Sequence, residues 1–395
     1  MEGTNGYCHT RNNQIMRKKI VYCTPSLYIP GGVERVLTTK ANYLAEVAGY
    51  DITIILTDGK GKEPYYPLSP KVKIVQLDIN FEELWHLSFI KKVFVYLKKQ
   101  RIFKKKLTDT LMDLHPDITV SLLRREINFL TSIKDGSKKV GEIHINKDHY
   151  RNFEGNNTNI IKQLFSQWWM NNLIKNLKKL DKFIVLTETD RKSWKEIQNV
   201  SVIPNPLSTF PNVTSSLTNK QVIAVGRYAY EKGFEMLIDS WNIVNKKHPE
   251  WILKIYGIDI IKNLTPIIKD KDLQGSVIPM DSTPQIYQAY QDSSIYACSS
   301  RFEGFGMTLI EAMSCGVPCV SFDCPHGPRN IITNGKNGYL VEPNNIEALA
   351  ERICHLIEHE ELRKEMGKEA RKRVEDFTEE KIMKQWVDLF ENIQS

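Results

Sequence analysis

Ile295-Tyr-Ala-Cys-Ser-Ser-Arg301-Phe-Glu303-Gly-Phe-Gly306-Met-Thr-Leu-Ile-Glu311-Ala-Met-Ser-Cys-Gly316-Val-Pro318-Cys-Val-Ser-Phe322 is the stretch on which the fold turns. Ile295 to Cys298 and Cys319 to Phe322 are short apolar runs that read as buried strands, and Thr308 to Ser314 between them carries a helical pattern. Strand, glycine turn, helix and strand make a βαβ unit. Gly304 and Gly306, on either side of Phe305, let the backbone approach a ligand closely. The N–H groups near Met307, Thr308 and Leu309, free at a helix start, form a positive end suited to an anion. Glu311 lies about one turn into the helix, where a carboxylate accepts hydrogen bonds from sugar hydroxyls, and Gly316-Val-Pro318 stops the helix. On an isolated surface helix Glu303 and Glu311 would be decoration. Beside a glycine turn at the C-terminal end of a strand, they occupy the place where open α/β sheets bind ligands.

The alternation continues outward. Val222 to Val225, Ile252 to Tyr256 and Val277 to Pro279 read as further strands, with a helix from Phe234 to Asn245. Directly after the first of them, Gly226-Arg227-Tyr-Ala-Tyr-Glu-Lys232-Gly233 sets two cations where they can clamp a diphosphate, Arg227 as a bidentate fork and Lys232 as a point charge. The first half repeats the pattern, with strands at Ile20 to Tyr22, Ile52 to Leu56, Val72 to Gln76, Ile118 to Leu122, Val140 to His144 and Phe183 to Leu186, and a helix from Val33 to Ala48. Between Pro204 and Asn219 the chain turns rich in Pro, Ser, Thr and Asn and periodicity vanishes. These features predict a disordered leader over 1–15, an acceptor-side domain over 16–205, a linker over 206–219 and a nucleotide-binding domain over 220–378. A last helix in 379–395 would leave the second domain and pack on the first. The fold class is α/β: two Rossmann-like, doubly wound domains facing each other across a cleft.

With 395 residues, 41% of them hydrophobic and 26% charged, the chain has the balance of a globular protein of two domains. No run approaches the about 20 apolar residues that span a membrane. Pro25 and Pro30-Gly31-Gly32 interrupt any signal-peptide core after Arg17-Lys18-Lys19, so a cytoplasmic location is expected. The seven cysteines form no C-x-x-C pair and read as free thiols. The net charge of +7 is concentrated between Lys91 and Lys106, with no nucleic-acid-binding signature beside it. Over residues 89–107, Ile90, Val93, Phe94 and Leu97 fall on one helical face, and Lys91, Lys92, Lys98, Lys99, Lys105 and Lys106 lie mostly on the other. That pattern predicts a basic amphipathic helix able to lie on an anionic membrane surface. The competing reading is an ordinary helix whose apolar stripe packs on the sheet.

Gly31-Gly32 in the first domain fits neither a G-x-G-x-x-G fingerprint nor a P-loop, which removes support for hydride transfer and ATP hydrolysis. A double glycine at a helix start still presents amides to a phosphate or an acceptor. Asp270-Lys-Asp272 matches a metal-binding D-x-D, but it follows a helical stretch rather than closing a buried strand and reads as a solvated turn.

Together Gly31-Gly32-Val-Glu-Arg-Val, Val185-Leu-Thr-Glu-Thr-Asp190, Ile203-Pro-Asn-Pro-Leu207, Gly226-Arg227 with Lys232-Gly233, the Glu303-to-Glu311 element and Asn337-Gly-Tyr-Leu-Val-Glu-Pro343 resemble glycosyltransferase family 4. These are the retaining GT-B enzymes also called group 1 glycosyltransferases, and the bacterial surface-polysaccharide branch looks nearest. The resemblance covers nearly the whole chain after Met16. It implies that Arg227 and Lys232 hold the donor diphosphate, Glu303 contacts the transferred sugar, Glu311 binds the ribose, and a first-domain histidine, His144 or else His149, reaches the donor sugar. It also implies a nucleotide diphosphate sugar as donor, UDP by default, transferring a hexose or N-acetylhexosamine. The acceptor it implies is a glycan or lipid-linked glycan at the inner face of the cytoplasmic membrane. Two places depart from the family pattern: Tyr256-Gly257-Ile258-Asp259, and Gly327-Pro328-Arg329-Asn330, where relatives often carry glutamate at the fourth position.

Departure of a nucleoside diphosphate needs positive charge at the breaking bond and an acceptor hydroxyl held at the anomeric carbon. Arg227, Lys232 and the helix amides supply that charge, so no metal and no cofactor are expected. A nucleotide-sugar epimerase, a phosphorylase and a non-catalytic partner of another transferase are the competing readings.

Overall fold

Two parallel sheets organise the chain in this computed structural model, which describes residues 17–147, 150 and 160–393. The leader over 1–15 and His149 lie outside the described residues. The first sheet contains β1 (Lys19–Thr24), β2 (Asp51–Leu56), β3 (Lys73–Gln76), β4 (Ile118–Ser121), β5 (Lys138–Glu142), β6 (Lys182–Val185) and β7 (Val200–Val202), in the order β3-β2-β1-β4-β5-β6-β7. The second contains β8 (Gln221–Val225), β9 (Ile252–Tyr256), β10 (Val277–Met280), β11 (Ile295–Cys298), β12 (Cys319–Phe322) and β13 (Gly338–Val341), in the order β10-β9-β8-β11-β12-β13. Each is the doubly wound Rossmann-like arrangement predicted from sequence. In each the strand order reverses once, between β1 and β4 and between β8 and β11, and a crevice opens at such a switch point beyond the carboxyl ends of the strands.

The strands are nearly continuous apolar runs because both faces of each sheet are covered. Along β1, Ile20 and Tyr22 join one buried cluster with the helix Gly32–Glu46, while Val21 and Cys23 join another with the helix Phe89–Leu114. The alternation is the period of two that a strand imposes on its side chains.

The last helix, Glu379–Asn392, places Ile382, Met383, Trp386 and Phe390 in the first sheet's core, although it follows the second sheet in the chain. Lys18 at the start of β1 donates to Phe390 O at 2.8 Å and pairs with Glu391 at 2.7 Å. The two passages between the sheets run side by side: Leu207 N donates to Phe377 O at 2.7 Å, and Leu207 bridges Thr378. The six described cysteines are buried and unbridged.

The helix Phe89–Leu114 departs from the sequence expectation in part. Its buried side is Phe103, Leu107 and Leu111. Val93, Phe94 and Leu97 stay exposed, Phe94 at 71%, so that stripe does not pack on the sheet. Lys99 and Lys106 turn back to the protein, donating to Ile79 O and Leu77 O at 2.6 Å each, because those carbonyls beyond β3 lack ladder partners on that side. Lys99 is half-buried and Lys106 exposed, and both ammonium groups are engaged within the molecule.

Candidate active site

The second-domain side of the cleft is assembled where β8 and β11 end. Lys232, in the short turn Tyr230–Lys232 after β8, reaches Glu303 Oε1 at 2.7 Å, and Ser300 Oγ donates to the same oxygen at 2.7 Å. Lys232 and Glu303 are 19% and 12% exposed. Burial alone would push the Lys232 ammonium down, but the Glu303 carboxylate outweighs it and the net direction is up. Arg227 is not part of this cluster. It is 68% exposed, pairs with Glu231 at 2.5 Å, and faces Glu34 of the first domain.

Gly306 has φ +105°, a left-handed conformation that a side chain would strain, and this turn launches the helix Met307–Ser314. Leu309 departs from expectation: its N–H donates to Gly306 O at 3.0 Å and its side chain is in the core. Met307 and Thr308 therefore carry the open first turn, with Thr308 Oγ1 held by Tyr296 OH at 2.7 Å. Phe305 is also core, stacking edge-on with Phe377 at 5.4 Å between centroids, and offers a ligand only its backbone.

Glu311 is 3% exposed, bonded by Tyr290 OH at 3.0 Å and ion-paired across the cleft with Arg35. Burial raises its carboxyl and Arg35 opposes the rise. Arg35, in return, is held strongly protonated by Glu311. The double glycine shapes this first-domain wall. A Cβ on Gly31 would fall 2.1 Å from Glu34 Oε2, whereas Gly32 faces open space. The Glu34 carboxyl is raised by its burial, with Arg124, His144 and Arg227 opposing.

His144 follows β5, and its carbonyl lies where a Cβ on Gly304 would be, 2.2 Å away. The backbones of the two domains thus meet at the Gly304 turn, and Asn146 Nδ2 donates to Glu303 O at 3.4 Å beside this contact. The His144 ring is buried; its Nε2 lies 3.2 Å from Glu142 Oε1, while Nδ1 has no partner. Asn330 donates to Thr189 Oγ1 at 2.8 Å and ties the domains together again. Asp270 and Asp272 are exposed between the helix Ile260–Asp270 and β10, at the amino ends of the strands and away from the cleft.

Sequence reasoning missed Arg35, Tyr290, Ser300 and the Lys40–Glu142 pair behind His144. Lys40 carried a readable signal, because it falls on the apolar stripe of Val36, Leu37, Ala41 and Leu44.

The profile of the glycosyl transferases group 1 matches residues 209–373. An uncharacterised glycosyltransferase of Haemophilus influenzae is 32% identical over 376 residues, 93% of this chain and 99% of that protein. The amylovoran biosynthesis glycosyltransferase AmsD of Erwinia amylovora is 29% identical over 377 residues, 91% and 95% of the two chains. Among solved structures, Staphylococcus aureus TarM, a variant in complex with fondaparinux, α-GlcNAc-glycerol and UDP, superposes with a TM-score of 0.74 at 20% identity over 94% of this chain and 99% of that one.

Proposed function

The chain belongs to the group 1 glycosyltransferases, and on that premise we propose that it transfers a hexose or N-acetylhexosamine from UDP to a growing bacterial surface glycan, with retention at the anomeric carbon and without a metal. The observation that carries the reading is the Lys232–Glu303–Ser300 cluster at the β8/β11 switch point, in the loop that leads into the open helix turn at Met307 and Thr308. A cation and a helix start at one crevice suit a diphosphate. Lys232 would take the leaving phosphate, Arg227 would swing from Glu231 to assist, Glu311 would accept the ribose hydroxyls, and Glu303 would touch the sugar. The relatives support the substrate class: AmsD is named for amylovoran biosynthesis, and a TarM variant is bound to UDP and an α-GlcNAc-glycerol.

Among the described residues no helix is long and apolar enough to cross a membrane. For a lipid-linked acceptor we place the enzyme on the inner face of the cytoplasmic membrane. Phe94, Leu97 and Val93 would enter the interface, and Lys91, Lys92, Lys98, Arg101, Lys104 and Lys105, all outside the intramolecular bonds that hold Lys99 and Lys106, would face anionic headgroups.

A panel of nucleotide sugars read by thermal stabilisation tests the donor, since a ligand at about 100 times its dissociation constant adds roughly 2.7 kcal/mol. UDP sugars should stabilise more than GDP or ADP sugars, and turnover should survive EDTA. Stabilisation by none of them, or activity lost to EDTA and restored by manganese, would overturn the corresponding part of the reading.

A further inference from the structure

Both oxygens of Glu311 are engaged by the protein itself. Tyr290 OH donates to Oε2 at 3.0 Å, and Arg35 Nη1 donates to Oε1 as an ion pair. The two donors differ in their freedom to leave. Tyr290 is fully buried on the helix Ile286–Gln291, in the same domain as Glu311, and its ring packs against Tyr287 and Tyr296. Arg35 is 30% exposed and belongs to the other domain, near the start of the helix Gly32–Glu46, where its guanidinium also lies 5.3 Å from the centroid of the Tyr66 ring. The buried pair of Lys40 and Glu142 makes the contrast. Both partners are 1% exposed within one domain, and the ring of Trp386, its centroid 3.6 Å from Lys40 Nζ, covers the lysine. That pair has no room to part, whereas Arg35 can leave Glu311 by a turn of its side chain or a movement of its domain.

A ribose that reaches Glu311 therefore takes the place of Arg35. Glu311 is 3% exposed, and a buried carboxylate stripped of its cation is costly unless other donors replace it. The two adjacent hydroxyls of a ribose supply such donors to an ionised acceptor. We propose that Arg35 is a positioning residue that competes with the donor's ribose for Glu311, so that nucleotide binding exchanges a contact between the domains for a contact to the ligand, and nucleotide departure restores it. The inference rests on the ribose role of Glu311 and gives Arg35 a part in admitting and releasing the nucleotide. Such competition lowers affinity by the fraction of molecules in which the carboxylate is free, so a pair formed in about nine molecules of ten weakens binding about tenfold.

The test has two arms. In the first, UDP and inorganic pyrophosphate, which carries two phosphates but no ribose, are titrated calorimetrically at pH 8. Arg35→Met should bind UDP about tenfold more tightly than wild type and pyrophosphate within twofold of it. Arg35→Lys, which keeps a cation, should bind UDP with an affinity between the two. Lost packing does not tighten a ligand, so the sign separates competition from a merely structural role. UDP weakened alone would make Arg35 a ligand of the ribose, and an equal change in both ligands, or none, would leave no competition at Glu311; each of these overturns the proposal. The second arm needs no nucleotide. In melting curves the double variant Arg35→Met/Glu311→Gln should be at least as stable as Arg35→Met, because the second change removes the buried charge that the first one strands. Additive losses would show that the pair does not form in solution and overturn the proposal. If the wild type binds no UDP, the donor reading fails and the competition falls with it, whereas UDP binding that is indifferent to Arg35→Met fells the competition alone.

Discussion

Lys232→Met separates two roles that its geometry allows, counter-ion to Glu303 or holder of a diphosphate. The Nζ atom lies 2.7 Å from Glu303 Oε1, and Ser300 shares that oxygen. As a counter-ion alone, Lys232 acts on stability. With partners 19% and 12% exposed, the pair falls between surface pairs, worth up to about 1 kcal/mol, and fully buried ones, whose breaking costs about 3–5 kcal/mol. As a phosphate ligand it contributes a charge-assisted hydrogen bond of about 1.5–3 kcal/mol, and its loss should weaken UDP binding roughly 10- to 150-fold. Glu303→Gln supplies the opposite sign, because it releases Lys232 from its carboxylate and should leave UDP affinity unchanged or raise it. Calorimetric titration with UDP, alongside melting curves of both variants, reads both quantities. UDP affinity within twofold of wild type in Lys232→Met, with a lowered melting temperature, would refute the diphosphate role.

Arg35→Met removes the cation that opposes the burial-driven rise of the Glu311 carboxyl. UDP binding by the variant should therefore weaken more between pH 8 and pH 6 than it does in wild type, as measured by titration at the two pH values. Against its burial, Lys40 and His144 hold the Glu142 carboxyl at about 2, below its ordinary 4.5, which favours the folded state while the group is ionised. Its folded value is depressed, so this stability is present above pH 4.5 and lost as pH falls towards 2. The wild-type melting temperature should accordingly drop more steeply from pH 5 to pH 3 than that of Lys40→Met/Glu142→Leu. Vesicles with anionic lipid should sediment the wild type at low salt. Phe94→Ser/Leu97→Ser, or glutamine at Lys91, Lys92, Lys98, Lys104 and Lys105, should abolish this, since each lysine near such a surface contributes about 1 kcal/mol; unchanged sedimentation would end the membrane proposal.

The fold was legible because buried parallel strands announce themselves. Ile52 to Leu56 and Cys319 to Phe322 are apolar runs broken only by Thr53 and Ser321, between helical patterns. The edge strand β7 was not, since Val200–Val202 is short and only half-buried, and β13, Gly338–Val341, was visible as part of a motif without reading as a strand. Glu303, Lys232 and Glu311 could be picked out from their place beside glycine turns. Their partners could not. Arg35 and Glu311 lie 276 positions apart, and no local pattern tells which first-domain side chain will face a given residue across a cleft. The same holds for Asn330 and Thr189. Lys40 was the exception, a charge on an apolar stripe that demanded a buried anion. The amphipathic helix shows the converse limit: periodicity located the stripe of Val93, Phe94 and Leu97, but only the packing around Phe103 and Leu107 could say which face the protein uses.

The return of the helix Glu379–Asn392 to the first sheet also bears on the order in which the protein can mature on the ribosome. Domains commonly fold as they emerge, the N-terminal one first. Here the second sheet, complete by Val341, can close its own core while the first still lacks Ile382, Met383, Trp386 and Phe390. Lys40 stays without the ring that covers it for just as long. The half made earliest is thus the half finished last. A nascent chain halted short of residue 379 would present an unsealed apolar face to chaperones, with the downstream half already folded.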